Sequence, residues 1–301
     1  MCDKITGTNG QAYPLQNNIG RRWIATWKVD YLISNWLGSA AHIDGDLINP
    51  RGINIYKNQL WIANSTSLTN YDLFGNKLSK PQSIIDTVNI SSSTCLAMTR
   101  EGFFITVSED GTINTYYPNV DPQYSHPVLS KQLSKTSIYK GLAIVNNTLY
   151  LADFFNRCID VYDDAYNKLV GYEFIDKDDS DPISLDYAPT NIVCLDGYLF
   201  VLWCKKDSYH PIKILDGQGH GFISMFNPDG SFVRRFASRG ALNSPWVIIA
   251  APNECGIPPG SFLIGNNGDG RICIYDCNRR YVGQNVKHSV EKKSKLCLDF
   301  F

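Results

Sequence analysis

The sequence lacks any apolar run long enough to cross a membrane, and it lacks an excess of charge of either sign. No stretch approaches the roughly 20 consecutive apolar residues that a membrane-spanning helix needs. Among the 301 residues, 28 Lys and Arg oppose 29 Asp and Glu, and charged residues make up only 19% of the chain. This balance excludes electrostatic binding to nucleic acid or to an anionic membrane as the main activity. We therefore expect a soluble globular protein without a membrane span.

The N-terminus shows no signal peptide, because no apolar run follows its first charged residues. Without an export signal, the cytoplasm is the default location, and a virion or an unconventional export route stays open as an alternative. The sequence gives no indication of the oligomeric state.

The nine cysteines include no Cys-x-x-Cys pair, which argues against a zinc ribbon or a thioredoxin-type site. Several lie inside apolar, strand-like runs, where a free cysteine behaves as a small hydrophobic residue. These are Cys95, Cys158, Cys194 and Cys273. We predict mostly reduced, buried thiols, as in a reducing cytosol. The alternative is one or two disulfides in an oxidising compartment, involving Cys255, Cys277 or Cys297.

No long segment has the 3.6-residue apolar period of a helix, and short runs of β-branched and aromatic residues between turn signals occur instead. These runs recur in a fixed order, three strands to a unit, and the third strand ends in an aromatic residue about every 45 residues. The aromatic residues are Tyr71, Tyr116, Tyr162, Phe226 and Tyr275. A unit of about 45 residues with four short antiparallel strands is a propeller blade. The pattern predicts an all-β fold, a β-propeller of four-stranded antiparallel blades.

Closure of the ring requires strands outside the five readable units. Residues 23–29 and 31–34 have strand-like patterns before the first unit, and residues 295–300 have one after the last. We predict a single propeller domain over residues 1–301 with six blades, the closing blade built from both termini; the alternative is five blades. The one long interval between units contains an inserted loop, residues 204–221, in the fourth readable blade.

Several motifs follow one another at the spacing of a known group of propellers. They start at Asp46, Ser108, Tyr139, Ala152, Tyr187, Gly240 and Gly265. In these motifs the chain resembles an uncharacterised family of NHL-like six-bladed β-propellers, many of them exported bacterial proteins, over residues 31–286. Two departures stand out. Arg51 stands where the family usually has Trp, and the family's C-terminal blade is nearly absent, so residues 1–30 are expected to replace it.

A polar residue follows the second strand of each unit, and inner strands converge on a central channel whose mouth is the usual ligand site. The predicted channel-mouth residues are Arg51, Asn64, Glu109, Asp153, Lys205 and Asn266. Among them, the oxygens of Asn64, Glu109, Asp153 and Asn266 would suit a divalent cation such as Ca²⁺ or Mg²⁺. A resemblance in kind to gluconolactonase-type propellers, which hold a channel metal on Glu, Asn and Asp, supports that assignment. The alternative is turn chemistry, since Asn, Asp and Gly accept the conformations of tight hairpins.

Arg51 lies beside a predicted inner strand, where a buried guanidinium needs an anionic partner. One interpretation pairs Arg51 with a channel acid such as Glu109. The other assigns it to the carboxylate or phosphate of a bound ligand.

The inserted loop carries a second candidate constellation. His210 and His220 with Asp207 or Asp216 would form a transition-metal site, or one histidine would act as a general base. Long polar loops on a rigid scaffold are frequently functional. The alternative is a solvated, flexible lid, because the spacing matches no standard zinc pattern.

No Gly-x-Ser-x-Gly elbow, Walker loop or dinucleotide fingerprint occurs in a fitting context. Since a fold alone does not confer chemistry, we predict a non-catalytic binding or scaffolding propeller that holds a protein, glycan or small-molecule ligand at the channel mouth. The alternative function is a divalent-metal-dependent hydrolase of the lactonase or phosphoester type, with the metal in the channel.

Overall fold

Short β-strands form the regular secondary structure of the described chain. The structure is a computed structural model, and it describes residues 2–5, 13–14, 23–24, 29–38, 40–65, 67–78, 82–83, 93–116, 129–252 and 256–284. None of these residues belongs to a helix with the length and apolar character needed to cross a membrane.

Strands from the N-terminal part of the chain enter two different sheets. The five strands are β1 (Cys2–Ile5), β2 (Tyr13–Pro14), β3 (Trp23–Ile24), β4 (Val29–Ser34) and β5 (His42–Ile43). β1, β4 and β5 form a three-stranded sheet, while β2 and β3 extend a sheet formed by the last strands of the described chain.

The next twenty strands form five successive blades, each with four antiparallel strands. Blade 1 contains β6 (Gly52–Tyr56), β7 (Gln59–Ala63), β8 (Ser67–Asp72) and β9 (Gln82–Ser83). Blade 2 contains β10 (Ser93–Met98), β11 (Phe104–Ser108), β12 (Thr112–Tyr116) and β13 (Leu129–Gln132). Blade 3 contains β14 (Tyr139–Val145), β15 (Thr148–Asp153), β16 (Cys158–Tyr162) and β17 (Lys168–Leu169). Blades 4 and 5 contain β18 (Tyr187–Leu195), β19 (Tyr198–Lys205), β20 (Gly221–Phe226) and β21 (Phe232–Ser238), then β22 (Pro245–Ala250), β23 (Phe262–Asn266), β24 (Ile272–Tyr275) and β25 (Tyr281–Gln284).

The β-propeller prediction is confirmed, with the five blades of the alternative. A sixth four-stranded blade built from both termini is not confirmed: β4 pairs with β1 and β5, and β3 pairs in parallel with β25 on the outer edge of blade 5. Residues 295–300, the predicted last strand, lie outside the described residues.

Tight hairpins join the first and second strands of blades 1, 3 and 4. Lys57 and Asn58 both have positive φ, as do Asn146 and Asn147, and Asp196 is followed by Gly197 in the same conformation. Two successive residues with positive φ are the mark of the type I′ turn, whose twist matches that of the strands it joins. Asn, Asp and Gly tolerate this conformation well, which explains their positions between the apolar runs.

The hydrophobic core is divided among the contacts between neighbouring blades. Tyr187 of blade 4 packs edge-on against Phe222 at 4.8 Å, in a cluster that also contains Ala152 and Ile159 of blade 3. Trp61 of blade 1 lies 4.9 Å from Phe104 of blade 2. Because such clusters join each blade to the next from blade 1 to blade 5, the apolar strands of the repeats leave water when the blades stack around an axis.

Six described cysteines are free, as predicted for most of them, but Cys158 is exposed, as is Cys277, so the predicted burial of Cys158 is wrong. Burial raises the pKa of Cys204 to about 12 and the pKa of Cys273 to about 12, since the thiolate loses its hydration. Cys255 and Cys297, named for the disulfide alternative, lie outside the described residues.

Alkylation should therefore separate these thiols, because the thiolate is the reactive form. With iodoacetamide at pH 8, we expect modification of Cys277 in the native protein, while Cys204 and Cys273 react only after unfolding in urea. Peptide mass spectrometry measures each site. Rapid native labelling of Cys204 would contradict its burial between blades 4 and 5.

Candidate functional site

The innermost strands of the five blades enclose a central channel. Its cavity has a volume of about 300 Å³ and is bounded by residues of β6, β10, β14, β18 and β22, with Arg51 just ahead of β6. Polar atoms make up most of the exposed wall, and its described lining contains no carboxylate and no imidazole. Arg51 is the cation of this lining, and Asn54 and Asn191 supply amides.

Equivalent positions at one end of the channel follow from the register of the first two strands. In blades 2 to 5 the first strand carries a bulge, at Thr94, Lys140, Thr190 and Trp246. Arg51 stands at the same place in blade 1, since its N–H donates to the Ala63 carbonyl directly ahead of the Gly52–Ala63 pair. We call these five residues the bulge ring. The loops between the second and third strands lie at the same end of the channel as the bulge ring, because the second strand of each blade runs antiparallel to the first.

The register also corrects the predicted equivalence of the polar residues. The residues at the end of the second strand that align with one another are Asn64, Ser108, Asp153, Trp203 and Asn266. Glu109 falls one residue later, in the β11–β12 turn, and Lys205 pairs with Tyr187 two residues beyond Trp203. Lys205 is displaced because β18 and β19 are longer than the corresponding strands of the other blades. The residue types in the sequence do not show this difference in length.

Asp153 braces the loop that follows β15. Its side chain is fully buried, and Oδ1 accepts from the backbone N–H groups of Ile138, Phe155 and Asn156 at 3.1–3.2 Å. Oδ2 accepts from the Asn156 side-chain amide at 2.7 Å. All four contacts lie within the connections of blade 3.

Asn64 and Asn266 are buried at equivalent positions and also bond locally. Asn266 donates to the Ala241 carbonyl at 2.8 Å and accepts from the Asn243 N–H at 3.1 Å, which holds the connection from blade 4 to blade 5. Asn64 donates to the Thr69 hydroxyl at 3.0 Å, and its Oδ1 is buried without a hydrogen-bond partner.

Lys140 was missed by the sequence interpretation, although it precedes Gly141 as Arg51 precedes Gly52. It is 6% exposed, its ammonium lies 2.8 Å from Glu109 Oε1, and it stands 5.0 Å from the centre of the Phe154 ring. Lys206 lies 5.5 Å from the same ring. Burial, and after it the Arg157 guanidinium, lower the pKa of Lys206. The predicted site residue Lys205 instead forms an ion pair with Asp186 at 3.4 Å.

Glu109 is therefore the partner of Lys140, and the interpretation that paired Glu109 with Arg51 is wrong. The Nε atom of Arg51 is buried and has no hydrogen-bond partner. The ion pairs of the described residues do not include Arg51. A cation thus lines the channel without a compensating carboxylate from the described chain.

The inserted loop 204–221 is tied to the blade 4–5 connection. The Gly217 N–H donates to Asn243 Oδ1 at 2.7 Å, and Asp216 accepts from the Ser244 hydroxyl at 2.7 Å. His210 Nδ1 lies 3.4 Å from Asp207 Oδ2, whereas His220 Nδ1 lies 3.0 Å from the Leu215 carbonyl oxygen. The two histidines thus face different partners. Within the described ranges, no group of three or more His, Cys, Asp or Glu side chains is arranged to hold a metal ion.

Comparison with known proteins places the chain among viral relatives. It is 53% identical to the uncharacterized protein L690 of Acanthamoeba polyphaga mimivirus, over 94% of this chain and 80% of that protein. It is 50% identical to the uncharacterized protein R648 of the same virus, over 96% of this chain and 77% of that protein. The chain belongs to this mimivirus protein family. No protein-family model matches it.

Solved structures with a similar backbone are β-propellers of low sequence identity. A catalytically inactive virginiamycin B lyase from Staphylococcus aureus, solved with quinupristin, matches with a TM-score of 0.54 at 13% identity, over 82% of this chain and 73% of that one. A chain of a nidogen/laminin complex matches with a TM-score of 0.52 at 13% identity, over 80% of this chain and 81% of that one. At such identity the similarity demonstrates the fold alone.

Proposed function

We propose that this protein is a non-catalytic binding or scaffolding propeller that holds an acidic group at the channel mouth, with Arg51 as the anchor. The observation that carries the proposal is the buried, unpartnered Nε of Arg51 on the wall of a cavity of about 300 Å³. An unsatisfied buried donor costs about 1–3 kcal/mol, which a ligand oxygen would offset.

The charges near Arg51 support an anion. Of the cations around the mouth, Lys140 is paired with Glu109 and Lys205 with Asp186, while Lys206 contacts the Phe155 carbonyl at 3.3 Å rather than a carboxylate. A planar guanidinium offers two parallel N–H donors to a carboxylate or phosphate, the arrangement that gives such pairs their strength.

The size of the cavity supports a small ligand group. A volume of about 300 Å³ lies at the lower end of the range for ligand pockets. The wall beyond Arg51 includes the amides of Asn54 and Asn191, so a small group with an acidic tip and further hydrogen-bonding atoms fits its chemistry. Such a tip could belong to a small molecule or to a protein side chain.

Replacing Arg51 with methionine should produce two opposite effects. We expect the ligand-free variant to gain about 1 kcal/mol in the free energy of unfolding, because an apolar side chain of similar length replaces the unsatisfied donor. We also expect it to lose the thermal stabilisation that inorganic phosphate or succinate gives the wild-type protein. Differential scanning calorimetry with and without each anion measures both effects.

The matched control is Arg100→Met, because Arg100 lies on the exposed β10–β11 turn and donates to Asn146 Oδ1. This control should respond to both anions as the wild type does. Equal stabilisation of wild type and Arg51→Met by both anions would refute the anchor role of Arg51. Parallel calorimetric scans with Ca²⁺ and Mg²⁺ test the alternative function, a divalent-metal-dependent hydrolase. That function stays a prediction from the sequence, because no specific geometric observation favours it.

The NHL-like assignment is likewise part of this proposal. Its support is the order and spacing of the motifs from Asp46 to Gly270. An experimental structure of the whole chain would test it, together with the six-blade count, by locating residues 285–301 and the N-terminal strands relative to blades 5 and 1.

A further inference from the structure

A second cavity lies outside the channel, in the cleft between blades 4 and 5. It has a volume of about 690 Å³. Its walls come from β21, from β24 and β25, and from Gln218 of the inserted loop. The loop that distinguishes blade 4 from the other blades therefore contributes directly to this cleft, which is well within the size range of ligand pockets.

The charges of the cleft are balanced, unlike those of the channel mouth. Arg235 forms a two-point ion pair with Asp176, so its charge is already compensated. Arg271 lies 4.0 Å from Asp269, and the remaining pair of opposite charges on the lining is Arg279 and Asp178. A balanced lining favours a neutral ligand, because an ion would meet as many repulsive as attractive charges.

The polar groups of the cleft are planar hydrogen-bonding side chains. Gln218 and Gln284 each supply an amide, which is both donor and acceptor, and neither amide bonds to another side chain within the described part of the chain. The guanidinium of Arg279 is held in place by a 3.3 Å bond to the Arg235 carbonyl. Together with Asp178, these groups offer donors and acceptors side by side, which suits a ligand rich in hydroxyl groups.

An aromatic surface borders the same cleft. Tyr281 is 37% exposed and packs edge-on against the buried Tyr275, with ring centres 5.7 Å apart. This contact fixes the orientation of the exposed ring. A rigid, partly exposed tyrosine offers an apolar face for the C–H groups of a sugar ring.

From these observations we propose that the blade 4–5 cleft binds a neutral oligosaccharide. Tyr281 stacks on one sugar ring, and Gln218, Gln284 and Arg279 bond its hydroxyl groups. This site is separate from the channel and does not depend on Arg51 or on the acidic ligand proposed there.

The test is binding of the purified full-length protein to a printed array of neutral and sialylated oligosaccharides. We expect binding to neutral glycans, and about tenfold weaker binding by the Tyr281→Ala variant, measured by titration calorimetry with the strongest array hit. Competition by the same oligosaccharide in free form identifies the glycan, rather than its attachment surface, as the ligand.

Two control variants keep the outcome interpretable. Tyr209→Ala removes an 89% exposed tyrosine of the inserted loop outside the cleft lining, and Arg51→Met removes the channel cation. Both should bind glycans as the wild type does. Binding to sialylated glycans alone, no binding to neutral glycans, or equal affinity of wild type and Tyr281→Ala would each overturn the proposal.

Discussion

Replacement of Asp176 by leucine is expected to lower the free energy of unfolding by about 3–5 kcal/mol, because it leaves the Arg235 charge buried without a partner. The two side chains are only 4% and 5% exposed. Arg235 donates through Nε and Nη2 to the two carboxylate oxygens at 2.7 Å, and its guanidinium carbon lies 4.7 Å from the centre of the Phe222 ring. Asp176 lies in the connection between β17 and β18, so the pair anchors this connection to β21.

The double variant Asp176→Leu/Arg235→Met supplies the control. Removing both charges eliminates the uncompensated ion, so we expect the double variant to recover most of the lost stability. Urea unfolding followed by tryptophan fluorescence measures the wild type, both single variants and the double variant. A decrease of less than about 1 kcal/mol in the free energy of unfolding of Asp176→Leu would indicate a solvent-exposed pair and would contradict the burial of Asp176 and Arg235.

Replacement of Gly141 by alanine is expected to cost about 3 kcal/mol, because the added methyl group meets backbone rather than a flexible side chain. A Cβ at this position would lie 2.5 Å from Asn191 Cα and 3.0 Å from the Thr190 carbonyl oxygen. Gly141 and Asn191 are on the inner strands of blades 3 and 4. The close approach of β14 and β18 therefore needs a residue without a side chain.

The matched control is Gly45→Ala, because no atom lies within 4 Å of a Cβ built there. We expect this variant to unfold at nearly the same urea concentration as the wild type, while Gly141→Ala unfolds at a clearly lower one. Similar midpoints for both variants would show that the inner strands of blades 3 and 4 are not in contact, which would contradict the ring arrangement.

The architecture was predictable because it depends on local patterns that repeat. Alternating apolar strands, turns with Asn, Asp or Gly, and a closing aromatic recur from Tyr71 to Tyr275, and each repeat satisfies its backbone hydrogen bonds within one blade. A blade that cannot bury both faces alone must stack on the next, so the propeller follows from the repeat. Such turn chemistry occurs at Asp110, whose Oδ1 accepts from the Thr112 N–H at 2.9 Å.

The candidate site was predictable only in part, because its geometry depends on register. Arg51 was identified as a departure from a family pattern, and it does line the channel. The pairing of Glu109 with Arg51 was wrong: Glu109 pairs with Lys140, since the β11–β12 turn brings Glu109 toward the neighbouring blade 3. The spacing of residues in the sequence does not show whether Glu109 pairs with Arg51 or with Lys140. The signal that would have found Lys140 is its position before Gly141, matched to Arg51 before Gly52.

The sequence by itself determined the strands, the turns and the repeat, because these depend on interactions between residues close along the chain. Tertiary structure alone decided that Asp153 bonds within its blade, that Arg51 lacks a partner, and that Gln218 and Tyr281 border one cleft. The physical reason is distance along the chain. Blades contact each other through residues separated by one or more repeats, and a bulge or a longer strand shifts the positions that meet.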